Sequence, residues 1–130
     1  MSEWNYIETE AFIRSSENIK ISDLVKESIK EWSKQVKRQV TPRNKKVFGS
    51  PNNIFEIWAA GIGNPDANKG KSGGYRLLYY LHIAENKLFV DLIETRDNLN
   101  FKGSKRKGQK KWDNHVIELR KELLKKHENL

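Results

Sequence analysis

The chain has 130 residues, 36% of them hydrophobic and 32% charged, with a net charge of +8 and no cysteine. That length supports one core and a single domain over residues 1–130. No apolar run approaches the roughly 20 residues that span a bilayer, and Met1–Lys20 lacks the basic start and apolar stretch of a signal peptide, so the chain reads as cytoplasmic; the missing cysteines exclude disulfides, thiolate metal sites and cysteine nucleophiles and are neutral about compartment.

The alternation of Trp4, Tyr6 and Glu8 against Ile7, Thr9, Ala11 and Ile13 predicts a first strand over Trp4–Ile13. Ser22 or Asp23 then caps a helix whose Val25, Ile29, Trp32, Val36 and Val40 recur every three or four residues, with a basic outer face of Lys26, Lys30, Lys34, Lys37 and Arg38. Pro42 is expected to end it, because proline breaks the backbone ladder and disfavours helical geometry at Thr41. Arg43–Asn53 reads as a turn-rich segment, and Ile54–Ala60, apolar on both faces, as a central strand. Gly61–Gly74 is a glycine-rich loop, long for a hairpin and therefore mobile or functional.

Tyr75–Ile83 is the strongest strand signal in the chain. Tyr75, Leu77, Tyr79, Leu81 and Ile83 share one face, and Arg76, Leu78, Tyr80 and His82 share the other. A turn at Glu85-Asn86 leads into a strand over Leu88–Ile93, with Arg96 just beyond it on the Leu88, Val90 and Leu92 side if alternation holds. Asn98–Lys111 is polar, glycine-broken and strongly basic, and is expected to be a loop, with the basic part at 102–111. A final helix is predicted over about 113–128, carrying Val116, Leu119 and Leu123 on its apolar stripe. Residues 102–130 hold ten basic and four acidic side chains, six of the eight net charges, a field that attracts polyanions. The resulting order is strand, helix, strand, strand, strand, helix. This is an α+β fold on a small four-stranded antiparallel sheet with a mixed edge.

Gly70-Lys71-Ser72 superficially suggests a phosphate-binding loop, but Pro65 stands where such a loop needs its first glycine, and a strand rather than a helix follows. Gly61-Ile62-Gly63 likewise lacks the third glycine and the helix of a dinucleotide fingerprint, and reads as a turn. His82, His115 and His127 are too far apart in sequence for a local ligand pair and have no acidic cluster beside them, so neither a metal nor a cofactor is expected. His127 suits the negative end of a helix dipole. His82 is either a rim residue or a proton-transfer group beside Arg76. Arg76 itself, set in an apolar strand, must reach solvent, pair with an acid such as Glu56, or face an anion.

The run Lys-Ser-Gly-Gly-Tyr75-Arg76-Leu-Leu-Tyr79-Tyr80, followed by a turn, an apolar strand and Arg96, resembles the core of the RelE/ParE superfamily. Its HigB- and RelE-like branch comprises toxins of type II toxin–antitoxin systems, and the likeness covers roughly Tyr6–Leu99. The resemblance implies a ribosome-dependent, metal-independent mRNA endoribonuclease that inhibits translation. It also implies a cognate antitoxin as partner, with a shared oligomer, and no membrane association. By residue, it implies that Lys71 and Lys69 hold RNA phosphate, that Arg76 lies at the scissile phosphate, and that Arg96 is the basic group after the last strand. The general acid and base are left open among Asp97, His82 and Tyr80. Trp58 departs from the family, whose members often carry a basic residue at that point of the second strand. Beyond the usual family ending, Lys102, Lys105, Arg106, Lys107, Lys110 and Lys111 are candidates for ribosomal RNA or for the antitoxin. Two other readings stay open, a ParE-like inhibitor of DNA gyrase and a catalytically degenerate member that binds nucleic acid or antitoxin.

Overall fold

The strand with the clearest alternation lies at the centre of the sheet. The computed structural model describes residues 4–65, 74–96, 99 and 107–127. Their elements are β1 (Asn5–Glu8), α1 (Glu10–Asn18), α2 (Asp23–Ser33), β2 (Asn44–Gly49), β3 (Phe55–Ile62), β4 (Tyr75–His82), β5 (Lys87–Thr95) and α3 (Lys107–Lys126). The sheet has five strands, not the four expected, in the order β1-β5-β4-β3-β2. β1 runs parallel to β5 and the other pairings are antiparallel, so the α+β class and the mixed edge stand.

Two helical layers cover the two faces of the sheet. On one face Tyr75, Leu77, Tyr79 and Leu81 of β4 pack with Trp58, Ala60 and Ile62 of β3 and with Phe12, Val25 and Ile29 of α1 and α2. On the other, Phe55, Ile57 and Leu78 pack with Leu99 and with Trp112, Leu119 and Leu123 of α3. Each fully buried Leu or Ile in these layers contributes about 2 kcal/mol relative to exposure. Tyr79 meets Trp32 edge to face at 4.9 Å, which ties the central strand to α2.

Several local expectations are corrected. The strand over Trp4–Ile13 stops at Glu8, because the Thr9 hydroxyl accepts the Phe12 N–H at 3.1 Å and caps a helix the alternation concealed. The next helix ends at Ser33, well before Pro42, and the segment after it is held from outside. The Trp4 indole donates to Val36 O at 3.0 Å, and Arg38 reaches Glu56. The segment read as turn-rich contains β2, which pairs with β3 from Asn44↔Ala60 to Gly49↔Glu56. The basic loop ends early, since 107–111 already belong to α3; 102–106 lie outside the described residues.

A β-bulge in β5 overturns the predicted side of Arg96. Leu78 pairs with Leu92 and Tyr79 with Val90, so Asp91 is the extra residue. Alternation therefore resets, and Ile93 rather than Leu92 shares the face of Leu88 and Val90. Among the described residues, no helix is long and apolar enough to cross a membrane.

Candidate nucleic-acid interface

Because β2 to β5 form an antiparallel meander, the start of β2, the end of β3, the start of β4 and the end of β5 meet at one end of the sheet. An open groove of about 1250 Å³ lies there, lined by Arg43, Lys45, Lys46, Arg76, Arg96 and Trp112 among others. Short side chains leave the room. Gly61 stands directly across from Arg76 in the β3–β4 register, so no β3 side chain covers that guanidinium. The Gly61 N–H donates to Arg43 O at 2.8 Å and draws the base of β2 against the groove.

Arg96 is seated by another close approach. Its N–H donates to Gly74 O at 3.2 Å, and its side chain lies across Gly74, where an added Cβ would meet Arg96 Cδ at 3.1 Å and Ile62 O at 3.1 Å. Only glycine leaves that path open.

The cations divide by whether they are already neutralised. Glu56 is buried, and its carboxylate accepts from Arg38 Nη2 at 2.6 Å, Arg38 Nε at 3.0 Å and the Trp58 indole at 3.1 Å, with Lys46 Nζ at 3.4 Å. Arg38 beside it, opposed by the cost of burial, holds the Glu56 carboxyl at about 2. Glu56 is thus committed to Arg38 and Lys46, not to Arg76. The Arg76 side chain, half-buried, makes no hydrogen bond or ion pair with any described side chain, and the same is true of the Arg43, Lys45 and Arg96 side chains. Arg43, Lys45, Arg76 and Arg96 around one groove form a field suited to phosphate, with Glu94 across from Arg76 in the β4–β5 register.

The other predicted site residues separate in space. Lys69, Lys71, Asp97, Lys102, Lys105 and Arg106 lie outside the described residues. Lys107 opens α3, and Lys110 and Lys111 are exposed on that helix, but of this stretch only Trp112 lines the groove among the described residues. His82 ends β4, six residues from Arg76, roughly 20 Å along an extended strand. It does not line the groove and cannot transfer a proton there. Tyr80 stacks on Phe89 at 4.6 Å, and burial, with Asp91 and Glu122 nearby, pushes its hydroxyl up to about 12, which makes it a poor acid as well as a distant one.

Sequence reasoning missed Arg43 and Lys45, because β2 was hidden in a segment read as turns. It also missed Asp91, buried at the bulge, whose Oδ2 meets His115 Nε2 at 2.5 Å from α3. Neither residue of that pair lines the groove. Among the described residues, no group of three His, Asp or Glu side chains could hold a metal ion, and no carboxylate or imidazole lines the groove. Comparison with family models, with curated proteins and with solved structures returns no match for this chain.

Proposed function

We propose that this chain is the toxin of a type II toxin–antitoxin pair, a ribosome-dependent mRNA endoribonuclease built on a RelE/ParE-type domain with an added edge strand. The single observation that supports the reading is the groove at the end of the sheet. There Arg76 on a rigid strand and Arg96 just past the next one are both unpaired toward described side chains, flanked by Arg43 and Lys45. In the proposed reaction the 2′-hydroxyl of RNA gives up its proton to a base as its oxygen attacks the adjacent phosphorus and forms a new P–O bond. The bond to the 5′-oxygen breaks, the leaving oxygen takes a proton, and a 2′,3′-cyclic phosphate remains. Negative charge builds on the phosphoryl oxygens, and guanidinium groups fixed beforehand by β4 and by Gly74 stabilise it. The proton-transfer groups would come from the RNA, the ribosome or residues outside those described.

A second reading follows from the absence of any carboxylate or imidazole among the described groove residues. On that reading the protein binds nucleic acid or an acidic antitoxin without cleaving. Induced expression with transcript mapping separates the two. The endoribonuclease reading expects growth arrest and cleavage of translated mRNA. Arg76→Ala, with unchanged circular dichroism, should lower cleavage by about 10²-fold or more. Arrest with intact transcripts and damaged DNA points to gyrase instead, and a harmless protein that still binds RNA points to binding alone.

A further inference from the structure

α3 lies along one sheet face and is fastened near its middle and at its end by an imidazole, in chemically opposite ways. Near its middle, His115 Nε2 meets the carboxylate of Asp91, which is only 5% exposed. Tyr80 of β4 lies within the field of that carboxylate and of Glu122 on α3. At its end, His127 sits between Phe55 of β3, ring centroids 5.8 Å apart, and His82 of β4, 5.2 Å away. His127 Nδ1 is covered and has no hydrogen-bond partner among the described residues. The charged groups that face it are His82, Lys126 on its own helix, and Glu85 in the β4–β5 turn. Glu85 is the only acid of the three, and Lys87 already holds it at 2.8 Å.

A proton on His115 therefore faces a carboxylate, whereas His127 sits half-buried between Phe55 and His82 with no acceptor for a proton on Nδ1 among the described residues. We propose that α3 is a proton-operated clasp whose last turns lift from the sheet on mild acidification while its first half stays pinned. Lifting would uncover Phe55 and enlarge the recess of about 510 Å³ between α3 and the turn at Ser50–Asn52, exposing an apolar surface at the end of the sheet away from the groove. Burial, reinforced by His82, lowers the His127 pKa. The sign follows from that direction. Above the unfolded value of about 6.5 the packed neutral ring contributes its full stability, and the contribution falls as pH drops below it.

Amide hydrogen exchange on the full chain, corrected for the intrinsic pH dependence of the chemistry, tests this between pH 7.5 and 5.0. Protection over 120–127 should fall by about tenfold for each unit by which folding lowers the His127 pKa, while protection over 112–116 holds. His127→Phe, which keeps a ring in the seat, should abolish the drop. If His127→Phe does not fold, His82→Gln gives the second comparison and should shrink the drop. An undiminished drop in the folded variant, equal loss over both halves, or no drop in the parent chain would overturn the proposal.

Discussion

Glu56 sets the hardest problem for any single residue, a carboxylate 3% exposed inside the sheet. Such a charge is tolerated only when fully partnered, and here Arg38, Lys46 and the Trp58 indole supply the partners. The consequence reaches the groove, because Arg38 lies in the α2–β2 connection that leads to Arg43. Glu56→Gln keeps the shape and removes the charge. Urea unfolding at pH 7 should show a loss of about 2 kcal/mol, the cost of leaving buried charge-assisted bonds unmade. The pH dependence has a definite sign. The carboxyl is held at about 2 when folded, below its unfolded value of about 4.3. The stabilisation is therefore present above that value and lost as pH falls toward 2, and the gap between the two proteins should close over that interval. A gap that persists at pH 2 would assign the effect to packing instead.

Among the elements, β5 shows how one residue changes what alternation can say. The bulge at Asp91 lets Val90 and Ile93, three apart, share a face. Deleting Asp91 would leave Val90 inward, Leu92 outward and Ile93 inward, as regular pairing requires. The deletion should therefore fold, losing only the bond to His115 and about 1–3 kcal/mol. Deleting Phe89 instead shifts part of the strand by one residue, turns apolar side chains to the wrong face, and should abolish cooperative unfolding. Thermal melts of the two deletions decide between a removable bulge and a structurally required one. The same strand marks the limit of legibility. The two faces of β4 and β3 were readable because they follow strict alternation and are buried by helices on both sides. β2 was not, because Lys45, Lys46 and Val47 are exposed on an edge strand with its own register shift, and so carry little apolar pattern. α1 was hidden because the alternation through Tyr6 and Glu8 runs straight into the Thr9 cap. Of the candidate site, Arg76 was legible from its strand, whereas Arg96 was legible in position but not in side, because the bulge at Asp91 resets the alternation before it. Arg43 and Lys45 were not, since they join them only through the pairing of β2.

At the scale of the whole molecule, α1 and α2 cover one sheet face and α3 the other, which leaves the groove at the end of the sheet as a large opening lined by several basic side chains. The net charge of +8 would draw RNA toward the protein whatever the groove does, so affinity alone cannot locate the contact. Salt dependence can. Each phosphate contacted on a single strand adds about −0.7 to the slope of log K against log salt. Contacts from Arg43, Lys45, Arg76 and Arg96 would together give about −2.8, with further terms from lysines such as Lys110 and Lys111. Arg76→Ala should reduce the magnitude of the measured slope by about 0.7, and Arg76→Ala with Arg96→Ala by about 1.4, as read by fluorescence anisotropy on a single-stranded RNA. A slope unchanged in the double variant would place the phosphate contacts on the basic segment before and within α3, and the groove would lose its claim to the RNA.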